Sequence, residues 1–130
     1  MKMVSILVVD FDNSTRRTFK RILSKQGFSV DEAKEGEEAI KKLKINHYDA
    51  VLLSFQLPDM QGIDLLFFLE KSIPNAQRII VTGFPSLSNT IQALEAGADA
   101  YFVKPVNPSN LVLVIEEKLR KDRKLPVKYN

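Results

Sequence analysis

Five short apolar runs, each followed by a stretch of helical periodicity, constrain the fold of this chain more than any other feature. Residues 4–9 form a near-continuous β-branched and leucine run, the pattern of a strand buried on both faces. Asn13 or Ser14 is placed to cap a helix with Phe19, Ile22 and Leu23 on its apolar stripe, stopped at Gly27. Residues 28–33 predict a more polar strand suited to a sheet edge, and residues 35–45 a helix with Ala39, Ile40 and Leu43 inward. Residues 50–53 are a second fully apolar strand, and 63–69 an apolar helix beyond the Pro58 to Gly62 loop. Residues 78–81 make the fourth strand. A helix opened by Ser86 or Ser88 and carrying Ile91 and Leu94 runs to Gly97. Residues 100–103 make the fifth strand. Asn107 and Pro108 open the last helix, whose stripe is Leu111, Val114, Ile115 and Leu119. Strict βα alternation implies a parallel sheet with right-handed crossovers and helices on both faces, a three-layer α/β sandwich. Ligands of such sheets sit at the carboxyl ends of the strands, which directs attention to Asp10, Ser54, Thr82 and Lys104.

At 130 residues the chain fits one domain, taken as residues 1–124 with 125–130 as tail or linker. No apolar run approaches the ~20 residues of a membrane span. The initial run ends at Asp10 without a small-residue cleavage site, so it is read as a strand and not a signal peptide. Absence of cysteine removes disulfides and thiolate metal sites and makes a cytoplasmic location the expectation. The net charge of +3 is concentrated in a basic end: Lys118, Arg120, Lys121, Arg123, Lys124 and Lys128 oppose only Asp122. That end is expected to be a solvated helix terminus before a linker, and an arm for nucleic acid or acidic lipid is the lesser reading.

The ordered set Val8-Val9-Asp10, Leu57-Pro58 with Gly62, Thr82-Gly83, Gly97-Ala98-Asp99-Ala100-Tyr101 and Lys104-Pro105 resembles response-regulator receiver domains along nearly the whole chain. The resemblance implies a flavodoxin-like (βα)5 fold with strand order 2-1-3-4-5. It also implies a pocket in which two adjacent acids and an acceptor aspartate hold Mg²⁺, with a backbone carbonyl two residues beyond the acceptor. A hydroxyl and a lysine there contact the phosphoryl oxygens.

Against that pattern the chain keeps Asp10, Thr82, Gly83 and Lys104, but has Phe11 at the second acid position and Ser54 at the acceptor position. Phe11 is expected to pack apolar surface, Asp12 to serve the helix N-terminus, and Gln56 to occupy the carbonyl-donor position. Gly83 leaves space beside the pocket. The retained Asp10 and Lys104 sum to zero charge and are expected to pair. Mg²⁺ prefers hard oxygen ligands and retains its water tenaciously, so its binding is expected to be weak or absent. Phosphorylation of Ser54 itself is not expected: a serine needs a base, and the only histidine, His47, precedes the third strand as a surface residue ending a helix.

The reading is therefore an atypical receiver: a non-enzymatic, phosphorylation-independent protein-interaction module with no cofactor. Its partner is a protein or an attached output domain, with a homodimer as one form. In the family Thr82 and Tyr101 would form the switch; the alternative is a tyrosine that packs its ring and hydrogen-bonds its hydroxyl. The partner face implied is the fourth helix, fifth strand and fifth helix, carrying Phe102, Leu87, Val112 and Leu113, with Phe84 in the adjoining loop. A flavodoxin-like enzyme or nucleotide-binding domain is the competing class, but no glycine follows the first strand in Asp10-Phe11-Asp12-Asn13-Ser14.

Overall fold

The computed structural model describes residues 3–122. Arg123, Lys124 and Lys128 of the basic end, and the expected boundary at residue 124, lie outside the described residues. The elements run β1 Ser5–Val9, α1 Asn13–Lys25, β2 Ser29–Ala33, α2 Gly36–Ile45, β3 Ala50–Leu53, α3 Gly62–Ser72, β4 Gln77–Thr82, α4 Leu87–Glu95, β5 Ala100–Val103 and α5 Pro108–Asp122. The strands pair in parallel in the order β2-β1-β3-β4-β5. This is the flavodoxin-like arrangement expected from the alternation and the resemblance.

Successive strand residues face opposite sides, and the core divides accordingly. Leu7, Val9, Val51, Leu53 and Ile80 pack under α2, α3 and α4, with Leu43, Leu65, Leu66 and Leu69. Ile6, Val8, Leu52, Ile79 and Val81 pack under α1 and α5, with Phe19, Leu23, Leu111 and Ile115. Both faces of β1 and β3 are thus covered, which is why their runs are apolar without alternation.

Three local expectations are corrected. Asp12, not Asn13 or Ser14, caps α1, accepting from the Thr15 amide at 3.0 Å. Its short carboxylate also receives the Thr15 hydroxyl; that bond and the amide hold its pKa below the usual value. On α1 the buried stripe is Arg16, Phe19 and Leu23, while Ile22 is half-buried. On α4 only Ala93 is buried, with Ala96 just beyond; Ile91 and Leu94 are 45% and 56% exposed. Helix α4 meets the core through its own small side chains, Ala93 and Ala96, and Ile91 and Leu94 turn outward.

Helix α2 has no cap of its own: Glu35 makes no side-chain cap bond. Asp59, from the β3–α3 loop, accepts instead from the amides of Gly36 (2.9 Å) and Glu37 (2.8 Å). Partial desolvation raises its pKa, but the amide bonds outweigh it and the net shift is downward. A lowered carboxylate contributes stability that is fully present above its unfolded pKa and lost as pH falls through the folded value. Asp59→Asn is therefore expected to be less stable at neutral pH and to show a flatter acid limb. Urea melts from neutral to acid pH check this; an acid limb as steep as the parent's would refute it.

Candidate functional site

The carboxyl ends of β1, β3, β4 and β5 bring Asp10, Ser54, Thr82 and Lys104 to one edge of the sheet. Asp10 is 6% exposed. Its carboxylate receives Lys104 Nζ at 2.7 Å through Oδ2 and the Asp12 amide at 2.9 Å through Oδ1. The pair joins β1 to β5, strands separated in the sheet by β3 and β4. Lys104 itself is followed by a cis peptide bond to Pro105.

Ser54 directs its hydroxyl to the Gln56 carbonyl, 3.1 Å away. This bond closes the start of a tight loop. The Gly62 amide returns to the Phe55 carbonyl at 2.7 Å, and Gln56 and Gln61 form an isolated bridge. A Cβ at Gly62 would lie 2.9 Å from the Phe55 Cα and collide with the Ser54 carbonyl oxygen, so glycine is required there for close backbone approach. Thr82 Oγ1 accepts from the Phe84 amide at 3.1 Å. Each of these pocket groups is thus engaged by a neighbour within the protein.

Phe11, expected to pack on apolar surface, is 64% exposed. Gly83 does leave room: a Cβ there would meet only Lys104 Cδ, at an ordinary 3.8 Å. Gly83→Ala is accordingly expected to change stability by no more than about 0.5 kcal/mol, as measured by denaturant melts. A larger loss would mean that the loop needs glycine for its conformation.

Arg16 is the site residue that sequence reading missed. Its guanidinium is buried beneath the β1–α1 loop and donates to the Asp10 carbonyl at 2.5 Å and to the Asn13 side chain. Its Nε lies 3.4 Å from Glu32 on β2. These bonds fix the turn that presents the Asp10 carboxylate to Lys104. The signal was available, because Arg16, Phe19 and Leu23 share an i, i+3, i+7 stripe. His47 stands apart from the pocket, exposed before β3 and 3.1 Å from Asp49.

Tyr101 packs its ring against the core beneath α3 and α4. Its hydroxyl is buried and has no hydrogen-bond partner among the described residues. The expected surface residues divide between two regions. Phe84 and Leu87 are exposed, as are Ile91, Leu94 and Val103. Phe102 and Val112 are half-buried against the core. Leu113 is exposed, but it and Val112 line a groove with Ile22 and Gln26 of α1. At about 100° per residue, position 112 rotates from buried Leu111 toward α1, and position 113, about 200° round, turns to solvent at the rim of the groove.

Among the described residues no cluster of three or more His, Cys, Asp or Glu side chains could hold a metal, and no helix is long and apolar enough to cross a membrane. A family profile for the response regulator receiver domain matches residues 6–116. The chain is 33% identical over 125 residues to the transcriptional regulatory protein SrrA of Staphylococcus aureus (strain NCTC 8325 / PS 47), covering 96% of this chain and 52% of that protein. It thus spans about half the length of the curated relatives it matches. A CheY-like response regulator receiver domain protein from Methanospirillum hungatei JF-1 superimposes with TM-score 0.91 at 39% identity, over 95% of this chain and 98% of that one. The signal receiver domain of an HD domain-containing protein from Pseudomonas fluorescens Pf-5 gives 0.90 at 26% identity, over 95% and 99%.

Proposed function

The chain belongs to the response regulator receiver domain family, and from that premise we propose that it is a receiver whose signalling no longer passes through phosphorylation. The observation that carries this reading is the engagement of the pocket's own polar groups. Lys104 is spent on Asp10, and the Ser54 hydroxyl is spent on the Gln56 carbonyl. An acyl phosphate requires a carboxylate at the acceptor position, and Ser54 has none. Among the described residues the Ser54 hydroxyl donates to the Gln56 carbonyl, not to a carboxylate or imidazole that would make the serine a nucleophile.

The same geometry does not fit Mg²⁺. One buried carboxylate, already neutralised by an ammonium at 2.7 Å, offers a divalent ion little in exchange for its hydration shell. The second acid position carries a phenyl ring directed to solvent. The protein then acts as a non-enzymatic binding module.

Its partner face is the exposed apolar surface of α4 and β5: Leu87, Ile91, Leu94 and Val103, with Phe84 at the edge. Leu87, Ile91 and Leu94 follow an i, i+4, i+7 spacing, which suits a helical or flat apolar partner. The Staphylococcus aureus relative is named as a transcriptional regulator, and about half of it lies outside the match. An attached or separate output domain is the partner this implies here.

Incubation with acetyl phosphate and Mg²⁺, followed by intact-mass measurement, tests the central claim. No added phosphate is expected. A stable phosphate adduct mapped to this pocket would overturn it.

A further inference from the structure

Helix α1 is charged with one sign. It carries Arg16, Arg17, Lys20, Arg21 and Lys25 and no acid. Arg16 is buried and Lys20 lies 3.6 Å from Glu32. Arg17, Arg21 and Lys25 are exposed at i, i+4, i+8 spacing, and none has an ion-pair partner among the described residues. Like charges at that spacing repel along a helix. The C-terminal dipole accounts for Lys25 but not for Arg17 or Arg21.

Beside this ridge, α1 and α5 enclose a groove of about 400 Å³. Ile22 and Gln26 form its α1 wall, Val112 and Leu113 lie across from them, and Glu116 stands on the α5 wall. Leu113 is 64% exposed, and Glu116 and Glu117 are both exposed next along the helix. Lys118 and Arg120 come later, toward the C-terminus of α5, where cations are favoured. From the α1 ridge the surface passes over Ile22, Val112 and Leu113, with Glu116 on the groove wall, to Glu117 on the far side of Leu113 beside Lys118.

We propose that this α1–α5 face is a two-fold interface between two copies of the chain. A two-fold axis lays a patch on its own image, so the patch must be complementary to itself. A surface that is basic on one side and acidic on the other meets that condition. Rotated by half a turn, the α1 ridge of one copy faces Glu116 and Glu117 of the other, and the Leu113 side chains meet near the axis. A wholly anionic occupant such as a nucleic acid would match the ridge but face like charge at Glu116 and Glu117. The face is separate from the α4–β5 surface, so both can be occupied together. Apolar contact supplies the affinity, and the charges set orientation and partner choice.

Sedimentation velocity from micromolar to millimolar concentration tests this, with circular dichroism to confirm that each variant folds. The protein is expected to form a dimer that weakens at high salt. Arg21→Glu with Lys25→Glu, and separately Glu116→Arg with Glu117→Arg, should each give a monomer. Mixed in equal amounts, these two reversed variants should recover a dimer, because every contact across the axis again pairs opposite charges. Leu113→Asp should abolish association, whereas Ile91→Asp on the α4 face should leave it unchanged. A monomer at every concentration overturns the proposal, as does a dimer indifferent to both reversals or lost with Ile91→Asp. Failure of the mixed reversed variants to associate overturns it equally. None of these outcomes bears on whether the pocket accepts phosphate.

Discussion

The double variant Ser54→Asp with Phe11→Asp is expected to bind Mg²⁺ and to take phosphate from a small donor, whereas Ser54→Asp alone should do neither efficiently. The structure supports both halves. Ser54 already stands at the end of β3, with its backbone held by the Val9 carbonyl at 3.0 Å and by the Gly62 turn. Aspartate there would lose the bond to the Gln56 carbonyl and free that oxygen. By itself it would only add a second acid competing with Asp10 for Lys104, and repulsion between the two would raise at least one pKa. The second aspartate restores three carboxylates against one lysine, the charge balance a hard divalent cation requires. Because Phe11 is exposed, its replacement should cost only about 0.5 kcal/mol, as at an ordinary surface site. Chemical shifts under Mg²⁺ titration and intact mass after acetyl phosphate give the answer. A folded double variant inert in both assays would show that the pocket has diverged beyond these two positions.

Lys104→Met is expected to destabilise the protein by about 3 kcal/mol, near the lower end for breaking a buried pair by removing one partner. The lower end applies because the Lys104 side chain keeps 27% of its surface exposed while Asp10 keeps 9%. The loss is less that of an attraction than of compensation for a carboxylate left in the sheet edge with one amide donor. Asp10→Asn added to Lys104→Met should therefore recover much of the loss, and a double-mutant cycle in urea measures it. If Lys104→Met costs no more than a surface substitution, water reaches Asp10 and the pair is not the pocket's organising contact.

The fold was legible because its strands are apolar on both faces and its helices are not, a contrast that Val51-Leu52-Leu53 against Arg17-Thr18-Phe19 makes plain. The pocket was legible in part. Asp10, Ser54, Thr82 and Lys104 each end a strand, so parallel topology alone brings them together. What escaped was chemistry dependent on side-chain direction. Arg16 looked like one basic residue among several until its place on the stripe with Phe19 and Leu23 put it indoors. Asp59 looked like a loop residue because the helix it caps precedes it in sequence by more than twenty positions. Ile91 and Leu94 were assigned to the core because apolar residues usually go there. Which side of a helix meets the sheet depends on the depth available, and here alanines fill it.

That last feature also bears on how the molecule opens. Helix α4 is anchored by the methyl groups of Ala93 and Ala96, each worth about 0.8 kcal/mol in burial, whereas α3 buries Leu65, Leu66 and Leu69. Below it, the buried Tyr101 hydroxyl has no hydrogen-bond partner among the described residues. Unfolding of α4 alone therefore gives up far less than unfolding of the domain, and its amides should exchange with deuterium through a local opening while those of β1 and β3 await the global one. The helix that exposes Leu87, Ile91 and Leu94 is thus also released at low cost, and its protection against exchange would rise when a partner covers it.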